Sequence, residues 1–482
     1  MSYLGRQLNA PASTVQLTAE GAITAGKPVI VEADGDVAQA ATSAAASGTA
    51  VVFESASLVD TSVAYDSNAQ KVVISYNDAG NSYYGTSIVG TIDTSDNSIS
   101  FGTAVVFESA STSPIASTFD SSNNKVVISY GDGGNSNYGT AIVGTVSGTS
   151  ISFGSPTVYE SANSPSQSIA YDANAGKVVI AYADNANSNH GTAIVGTVSG
   201  TSISFGSAAV FESAAVEFNS IVYDSNAQKV VIAYQDEGNS SHGTAIVGTV
   251  SSTSISFGSA VVFQASTSLD ISAAYDASAQ KVVIAYQNNA TDEGTAIVGT
   301  VSDTSISFGS SAVFESAAVD NCAAVYDSNA QKVVIAYEDE GNSGHGTLVE
   351  ATVSGTSLSF SSATVFESAS VVYVSAAYDS NANRTVIAYR DGGNSDYGTA
   401  IVFKASSTNL TSENFIGFAE NDCTDNGLAT IQLGGSVNNK QTSLTAGQTY
   451  FVQTDGTIGT TADSPSVTAG TAVSATEILV KG

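Results

Sequence analysis

Short apolar stretches rich in Val, Ile, Tyr and Phe recur along most of the chain, broken by Gly, Asn, Asp and Ser. In residues 168–214, SIAYDANAGKVVIAYADNANSNHGTAIVGTVSGTSISFGSAAVFESA, four such stretches follow one another. Apolar runs bounded by turn residues are typical of β-strands, and no apolar stripe at helical spacing indicates a helix. The pattern predicts four strands, A to D: one ending in AYD, then KVVIAY, GTAIVGTV and SISFGSAAVFES. Gly206-Ser207 is a candidate β-bulge in strand D.

A Tyr-Asp pair, once replaced by Phe-Asp, marks this unit and occurs seven times. Successive pairs are 54, 52, 52, 52, 51 and 52 residues apart. Seven repeats of four short antiparallel strands predict an all-β fold, a seven-bladed β-propeller. A β-solenoid is the main alternative, but its coils are usually shorter and it needs atypical capping repeats at both ends. The first residues of the pairs are Tyr65, Phe119, Tyr171, Tyr223, Tyr275, Tyr326 and Tyr378.

The two ends of the repeat array favour a closed propeller. The FES element, counted with its variants YES at 159–161 and FQA at 263–265, occurs seven times, but its first copy, in AVVFES at 50–55, precedes the first Tyr-Asp pair. The SISF element, counted with its variant SLSF at 357–360, occurs only six times, so the seventh repeat leaves at 400–404 without its own strand D. We expect the segment 47–55 to supply that strand. This strand exchange would join the first and last blades and remove an exposed sheet edge.

The propeller is predicted to occupy residues 47–404 and to interrupt a small β module formed by residues 1–46 and 405–482. The segment AGKPVIVEADGDV at 25–37 matches AGQTYFVQTDGTI at 446–458, and both carry an Asp-Gly hairpin signal. The stretches at 414–435 and 467–482 continue the two copies. We therefore expect a duplicated module, with the propeller inserted into its first copy. Strand topology places both flanks on one face of the propeller and leaves the opposite face free.

Sequence variation is concentrated between strand D of one repeat and strand A of the next, in segments called the D–A loops. They read LVDT, TSPI, SPSQ, VEFN, SLDI, VDNC and VVYV, beginning at positions 58, 112, 164, 216, 268, 319 and 371. Binding loops diversify on a fixed scaffold, and drift of surface loops explains the variation equally well. Exposed apolar and aromatic side chains, Phe218, Tyr373, Val371 and Val372, favour binding. The candidate binding residues in these loops are Asp60, Glu217, Phe218, Asp270, Asp320 and Tyr373.

The B–C loops share the predicted free face and contain variants of Asp-x-Gly-Asn-Ser. Oxygen ligands suit Ca²⁺, but each loop offers only one or two carboxylates. We favour a turn in which Asp78 or Asp132 accepts hydrogen bonds from nearby backbone N–H groups. A Tyr or His follows in six repeats, as a candidate rim contact for a sugar: Tyr84, Tyr138, His190, His242, His345 and Tyr397. Histidines at one position of separate blades do not converge on a zinc ion, so we expect no metal and no cofactor.

A cation begins strand B of every repeat, shortly after the Tyr-Asp aspartate. The spacing predicts one local ion pair across each A–B turn, worth little if exposed. These pairs would use seven of the 13 Lys and Arg residues and leave almost none for binding an anion. The residues are Lys71, Lys125, Lys177, Lys229, Lys281, Lys332 and Arg384.

Charge and composition exclude several classes of function. The 482 residues carry 44 Asp plus Glu against 13 Lys plus Arg, a net charge of −31. This balance excludes a nucleic-acid binder that neutralises phosphates and argues against docking on an anionic membrane. No apolar run is long enough to span a membrane, and two cysteines do not indicate a disulfide framework. Three arginines form no sialidase-type cluster, and no catalytic-triad signature is present. Glycosidase chemistry by paired carboxylates in the channel is an alternative that the sequence leaves open, but we expect no enzyme.

The repeat YDSNAQKVVIAYxDxGNSxxGTAIVGTVSGTSISFGSAVVFESA resembles repeats in virion structural proteins of marine bacteriophages, including proteins labelled tail-fibre-like. The segments NFIGFAEN, SLTAGQTYFVQTDGTI and AGTAVSATEILVKG, and the opening YLGRQ, are similar to modules and N-termini of the same group. The flank GAITAGKPVIVEADGDVAQA is similar to small capsid-decoration proteins of tailed phages. The resemblance implies a component of the virion surface made in the host cytoplasm. It supplies no catalytic or ligand residues.

These observations lead to three hypotheses. The first is a non-enzymatic phage appendage or tail-fibre-type protein, with a propeller that contacts a host-surface receptor, most simply a glycan. Residues 1–46 and 405–482 would then bind other virion proteins. The second is a capsid decoration or head-fibre protein anchored to the head lattice by the same flanks. The third is a secreted bacterial adhesin or a glycan-active propeller. We expect no nucleic-acid partner and no membrane insertion, and leave formation of a homo-oligomer open.

Overall fold

The computed structural model of the protein describes residues 13–463 and 465–481, so the opening YLGRQ motif lies outside the described residues. Within them, the only helical segments are three-residue 3-10 turns, and none could cross a membrane. The ladders between strands are antiparallel, which confirms the expectation of an all-β protein. The chain divides into two compact units. Ala46–Ala405 is the repeat unit, and the described residues before and after it form the flanking unit.

The strands are numbered along the chain. Before the repeat unit lie β1 (Thr14–Thr18), β2 (Pro28–Val31), β3 (Val37–Gln39) and β4 (Thr42–Ser43). The repeat unit contains β5 (Ala46–Ser47), β6 (Val51–Asp66), β7 (Lys71–Asp78), β8 (Tyr84–Asp93), β9 (Ser98–Phe101), β10 (Val105–Asp120), β11 (Lys125–Asp132), β12 (Tyr138–Ser147), β13 (Ser150–Phe153), β14 (Thr157–Asn163), β15 (Ser168–Asp172), β16 (Lys177–Asp184), β17 (His190–Ser199), β18 (Ser202–Phe205), β19 (Ala209–Asp224), β20 (Lys229–Asp236), β21 (His242–Ser251), β22 (Ser254–Phe257), β23 (Val261–Asp276), β24 (Lys281–Asn288), β25 (Glu293–Ser302), β26 (Ser305–Phe308), β27 (Ala312–Glu315), β28 (Val319–Asp327), β29 (Lys332–Asp339), β30 (His345–Ser354), β31 (Ser357–Phe360), β32 (Thr364–Asp379), β33 (Arg384–Asp391) and β34 (Tyr397–Lys404). After it lie β35 (Ser407–Thr408), β36 (Phe415–Ala419), β37 (Leu428–Gln432), β38 (Val437–Asn438), β39 (Thr449–Val452), β40 (Ile458–Gly459), β41 (Val467–Ala472) and β42 (Ile478–Val480). The 3-10 turns are Ala79–Asn81, Gly133–Asn135, Asn185–Asn187, Glu237–Asn239, Glu340–Asn342 and Gly392–Asn394.

Each repeat forms an antiparallel sheet of strands A to D in chain order. In the fourth repeat, the end of β19 is strand A, β20 is strand B and β21 is strand C. Strand D consists of β22 followed by the first half of β23, and both parts pair with β21. The predicted bulge at Gly206-Ser207 is instead a short break between β18 and β19.

Glycine occupies this break because the next repeat approaches it closely. A Cβ atom at Gly206 would overlap the backbone carbonyl of Thr253, in the C–D turn of the next repeat. Gly48, Gly102, Gly154, Gly258 and Gly309 have equivalent neighbours. The sixth repeat has Ser361 at this position, and the seventh repeat beside it has no C–D turn because the chain leaves after β34. A side chain is therefore tolerated only there.

Strand D continues directly into the next strand A in five places, as the 16-residue strands β6, β10, β19, β23 and β32. The expectation of separate loops is wrong at these places, because the D–A loops are bulges inside long strands. In β19, for example, the register shifts between Glu217 and Ser220. The third loop residue has a left-handed backbone in six of the seven loops, with φ between +48° and +69°. These residues are Asp60, Ser166, Phe218, Asp270, Asn321 and Tyr373.

Strands B and C form the core of each repeat, and strand B is apolar on both sides because neighbouring sheets cover both of its faces. The tyrosine of strand B is fully buried in every repeat. Its ring packs against a Phe or Tyr ring of the preceding strand D, with centroids 5.1 to 5.4 Å apart. In six repeats its hydroxyl donates to the glutamate of the FES element at 3.1 to 3.4 Å. The tyrosines are Tyr76, Tyr130, Tyr182, Tyr234, Tyr286, Tyr337 and Tyr389.

The seventh repeat lacks its own strand D and takes one from the start of the repeat unit. Residues of β5 and the first half of β6 pair with β34, with Val51 opposite Ala400 and Ser47 opposite Phe403. The chain therefore enters and leaves the repeat unit side by side. The D–A loops lie at the other ends of the strands, since Tyr397 at the start of β34 pairs with Ser57 beside the first loop.

The hydrogen bonds that join neighbouring repeats also join the seventh repeat to the first. The Tyr223 hydroxyl accepts from the N–H of Asn174 in the preceding A–B turn at 3.2 Å. The Tyr65 hydroxyl accepts in the same way from Asn381 at 3.3 Å. A second bond, from a strand-A N–H to a serine Oγ of the preceding repeat, measures 3.1 Å both from Ile221 to Ser168 and from Val63 to Ser375.

The aspartate of each Tyr-Asp pair caps the A–B turn. Asp66 is 2% exposed, and its Oδ1 accepts from the backbone N–H groups of Asn68 and Ala69 at 3.0 and 2.8 Å. The expected ion pair with Lys71 is wrong, because the turn buries this carboxylate and its own N–H groups occupy it. The Lys71 ammonium donates instead to the Gln70 carbonyl at 3.3 Å, and Lys125 and Lys281 behave likewise.

The flanking unit contains two five-stranded sheets that correspond strand for strand. Their orders are β1-β37-β36-β2-β3 and β38-β42-β41-β39-β40. Each contains a register shift beside a glycine: Gly417 in β36 pairs with Val29, and Gly470 in β41 pairs with Tyr450. A Cβ at either glycine would overlap a backbone carbonyl of the neighbouring strand. One apolar cluster, including Ile30 and side chains of both sheets, packs between them.

Candidate functional site

The D–A loops bring residues of six repeats around one cavity of about 450 Å³ in the repeat unit. Of the predicted binding residues, the structure places four in its lining: Asp60, Glu217, Phe218 and Asp270. The other lining residues belong to the same six loops: Pro114, Ile115, Ser166, Gln167, Asn219, Ile271 and Cys322. Asp320 and Tyr373 lie in D–A loops but do not line this cavity.

Loop geometry decides which loop residues reach the cavity. The first residue of every D–A loop is at most 1% exposed and packs inward. The left-handed backbone at the third position then turns the chain, and most cavity-lining residues come from the third and fourth positions. Val371, expected to be exposed, is a first-position residue and is fully buried against Phe366 and Tyr389. Phe218, Val372 and Tyr373 are half-buried, whereas Glu217 is exposed.

Two cavity carboxyl groups also link one loop to the next. Asp60 Oδ2 accepts from the N–H of Ile115 in the following loop at 2.7 Å. Burial raises the pKa of Asp60 to about 7, an effect that its backbone hydrogen bonds only partly offset. Burial, and then the nearby carboxylate of Asp320, raise the pKa of Asp270 to about 7, although Asp270 accepts a hydrogen bond from the N–H of Asn321. Both groups are therefore partly protonated near neutral pH.

Cys322 also lines the cavity. Burial raises the pKa of its thiol well above the ordinary value, and the neighbouring carboxylates of Asp270 and Asp320 raise it further. Because the thiolate is the reactive form of cysteine, this thiol is kept in its unreactive, protonated form.

An acidic cluster lies beside the sixth loop, which contributes Asp320 to it. Oxygens of Asp320, Glu338 and Glu340 lie within 4.8 Å of one another. Glu338 is the buried member, and its two oxygens accept from Ser370 Oγ and Asn321 Nδ2, each at 2.9 Å. Repulsion from Asp320 and Glu340 adds to burial in raising the pKa of Glu338. The geometry accounts for Glu338 as a structural link between the sixth and seventh loops.

Tyr373 connects three loops through its backbone and stacks with a cation. Its N–H donates to Asn321 Oδ1 at 2.9 Å, and its carbonyl accepts from Thr61 Oγ1 at 2.6 Å. The guanidinium carbon of Arg390 lies 5.1 Å from the centre of the Tyr373 ring. Asp396 lies 3.6 Å from Arg390 Nε. The seventh loop is thus held by both neighbouring loops.

Sequence reasoning missed a second variable position, the penultimate residue of strand B. It lies opposite the second residue of the D–A loop, as Gln235 does opposite Glu217. Several of these side chains bond to the next loop: Asn77 Nδ2 donates to the Thr112 carbonyl, and Gln235 Nε2 to the Ser268 carbonyl at 3.1 Å. The signal was present in the sequence, since this position varies inside an otherwise uniform strand: Asn77, Gly131, Ala183, Gln235, Gln287, Glu338 and Arg390.

The rim candidates form a separate set. Tyr84, Tyr138, His190, His242, His345 and Tyr397 each begin strand C, are half-buried and do not line the cavity. Each pairs with the aspartate that ends strand B, as Tyr84 does with Asp78. The structural role predicted for Asp78 and Asp132 is confirmed: Asp78 Oδ1 accepts from the N–H of Asn81, and Asp132 Oδ1 from that of Gly134.

Comparison with known proteins adds no family assignment. No model of a known protein family matches the chain, and no curated protein sequence matches it.

Proposed function

We propose that the repeat unit is a seven-bladed β-propeller inserted into a duplicated β module. Three observations support the propeller: seven equivalent antiparallel sheets, the pairing of β6 with β34, and the bonds from Asn381 to Tyr65 and from Val63 to Ser375. The identical strand orders of the two flanking sheets support the duplication. The insertion point lies between β3 and β36, which corresponds to the short connection between β40 and β41 in the second copy.

The propeller is proposed to be a non-enzymatic recognition scaffold. The observation that carries this proposal is that the positions that differ among otherwise uniform repeats meet at one cavity. Hydrogen bonds between loops give Asp60 and Asp270 a structural role. Glu217 has no such role, because it is exposed and has no side-chain hydrogen bond or ion pair among the described residues. The protonated thiol of Cys322, and the use of both aspartates in loop links, argue against a nucleophile or a general base here.

The protein is proposed to act at a virion surface, where the propeller contacts a host glycan and the flanks bind other virion proteins. The resemblance of the repeats to phage virion proteins and the net charge of −31 support this role. The position of the D–A loops, at the strand ends opposite the entry and exit of the chain, also supports it. Gold-labelled antibody on intact particles separates the alternatives: label on the tail favours host attachment, label on the head a decoration protein, and absence of label a secreted adhesin.

Binding to a printed array of bacterial and algal glycans tests recognition at the cavity. We expect the wild-type protein to bind a subset of the array. The double variant Glu217→Gln/Phe218→Ala should lose at least about tenfold in affinity, the loss typical of removing a central contact pair. Asp303→Asn, an exposed change in a C–D turn at the opposite strand ends, is the control and should bind like wild type. Equal binding by the double variant would place recognition elsewhere, and absence of binding by wild type would reject the glycan proposal.

A further inference from the structure

The cavity formed by the D–A loops is lined by hydrogen-bond acceptors without a balancing cation. Its polar side chains include the carboxyls of Asp60, Glu217 and Asp270 and the amides of Gln167 and Asn219. The lining contains no Lys, Arg or His. A group that brings hydrogen-bond donors and positive charge would therefore complement it, whereas an anionic group would find no cation to pair with.

Two of the amides have oxygens without a partner. Gln167 and Asn219 are each 8% exposed, and their oxygens Oε1 and Oδ1 are buried without a hydrogen-bond donor. Their NH₂ groups are engaged, Gln167 Nε2 with Ser164 Oγ at 3.1 Å and Asn219 Nδ2 with the Ser166 carbonyl at 2.9 Å. The bond to the Ser166 carbonyl, which can only accept, fixes which way the Asn219 amide points. A buried acceptor left without a donor is unfavourable, so these two amides leave unused acceptor capacity beside the cavity.

The ligand group that best matches such a lining is a primary ammonium. It has three donors and no acceptor, whereas a hydroxyl both donates and accepts and leaves the carboxylate charge unbalanced. The volume of about 450 Å³ falls within the range of small-molecule sites. Phe218, Ile115 and Ile271 add an apolar part to the lining, suited to the C–H face of a sugar ring. Burial raises the pKa of Asp60 and of Asp270 to about 7, and no cation among the lining residues offsets this effect.

We propose, building on the recognition function above, that this cavity binds glycans through the free ammonium group of an amino sugar. Glu217, exposed and unpaired in the fold, meets the ammonium first, and the carboxyls of Asp60 and Asp270 complete the acceptor lining. Selectivity then follows from charge: N-acetylation, which removes the ammonium, weakens binding, and a uronic acid is rejected.

Isothermal titration calorimetry of the full chain with three oligosaccharides of equal length tests this selectivity. The probes are a glucosamine tetramer, its fully N-acetylated counterpart and a galacturonate tetramer, each titrated at pH 6 and at pH 7, because Asp60 and Asp270 are mostly protonated at the lower pH. We expect the glucosamine tetramer to bind at least tenfold more tightly than the acetylated one, with an affinity that falls as salt is added. The galacturonate tetramer should not bind. Glu217→Gln should lose most of the preference for the amine while its melting temperature stays that of wild type.

The outcomes separate the two proposals. Equal or tighter binding of the acetylated or galacturonate tetramer would overturn the ammonium inference and leave glycan recognition standing. A glucosamine affinity unchanged in Glu217→Gln and unaffected by salt would also overturn it. If none of the three tetramers binds while wild type binds other sugars on the array, the ammonium inference is overturned and glycan recognition stands. Failure of the tetramers and of the whole array would reject both proposals.

Discussion

The third residue of the D–A loops shows how one backbone conformation carries many side chains. A left-handed backbone is unfavourable for a residue other than glycine by about 1–2 kcal/mol, yet Asp60, Phe218 and Tyr373 all adopt it. The ladder resumes on both sides of each bulge and fixes this conformation. Because the scaffold imposes the turn, the side chain at its apex is free to vary. This explains why aspartate, serine, asparagine and aromatic residues occupy one position.

Sequence reasoning predicted residue roles where the partner is local. The turn role of Asp78 was predictable because its partner, the N–H of Asn81, lies three residues away. The role of Asp60 in linking loops was not, because its partner Ile115 is 55 residues distant and meets it only through the packing of two sheets. For the same reason Gln167 and Asn219 did not stand out as site residues.

The buried carboxyl of Asp60 makes stability depend on pH. Its pKa is about 7 in the folded protein against an ordinary value of 3.8, so the folded state holds a proton that the unfolded chain releases near pH 4. The raised pKa stabilises the folded state fully below pH 4. This stabilisation is lost as the pH rises to about 7, and the free energy of unfolding then falls by up to about 1.4 kcal/mol per pH unit. Asp60→Asn removes the charge and keeps an acceptor for Ile115. We expect the variant to exceed wild type in stability at pH 8 and to match it near pH 4.

Urea unfolding between pH 4 and pH 8 measures this difference. Asp303→Asn is the control, since that aspartate is exposed and should leave the pH profile unchanged. A profile for Asp60→Asn parallel to that of wild type would show that the carboxyl is already ionised in the folded protein.

At the scale of elements, the contact that joins repeats is the buried tyrosine of strand B with the aromatic ring and glutamate of the preceding FES element. Sequence periodicity predicted the strands themselves, because each apolar run ends at turn residues. It did not predict that strand D runs on into strand A. Variable residues such as Val216-Glu217-Phe218 resemble a loop in sequence, but the ladder continues through them with one bulge.

The fifth repeat lacks one part of this contact. Gln264 replaces the glutamate, so the buried Tyr286 hydroxyl lacks the carboxylate partner and has Ser311 beside it instead. Gln264→Glu should supply the missing acceptor and raise the free energy of unfolding by about 1 kcal/mol. The substitution meets little repulsion, since Asn288 stands where other repeats have an aspartate.

Thermal and urea unfolding measure the effect of Gln264→Glu. The reciprocal change, Glu212→Gln, removes the carboxylate that accepts from the Tyr234 hydroxyl. It should lower the free energy of unfolding by a similar amount. If both variants unfold like wild type, the tyrosine–glutamate bond contributes nothing net to stability.

At the scale of the whole molecule, the mismatch between seven FES and six SISF elements predicted the exchanged strand from counting alone. The pairing of the first half of β6 with β34 agrees with that expectation. The cavity could not be predicted in this way. Its shape depends on the angles at which six sheets place their loops, and no local pattern encodes those angles.

The exchanged strand should be as important for stability as strand D of any other repeat. Val52 in β6 lies opposite Thr399, and Val210 in β19 lies opposite Thr192 in the same relation. Both valines are partly exposed, at 40% and 48%. Proline disrupts a ladder by removing a donor and clashing with the strand. We expect Val52→Pro and Val210→Pro to lower the melting temperature by similar amounts.

Thermal unfolding of the two variants beside wild type makes this comparison. A neutral Val52→Pro combined with a destabilising Val210→Pro would show that the first strand of the repeat unit does not pair with its last sheet. Light scattering adds a second readout, because loss of this pairing leaves the edge of β34 open to aggregation.

The exchanged strand also imposes a delay during synthesis, because it is made long before the strand with which it pairs. The segment that completes the seventh sheet leaves the ribosome first, and its partner β34 follows about 340 residues later. At about 5–20 residues per second, roughly 20–70 s pass between the two events. Throughout that interval every nascent chain on a polysome carries an unpaired apolar strand, and each newly finished neighbour offers the edge that fits it. The speed of translation therefore decides how often a strand completes its own chain rather than another.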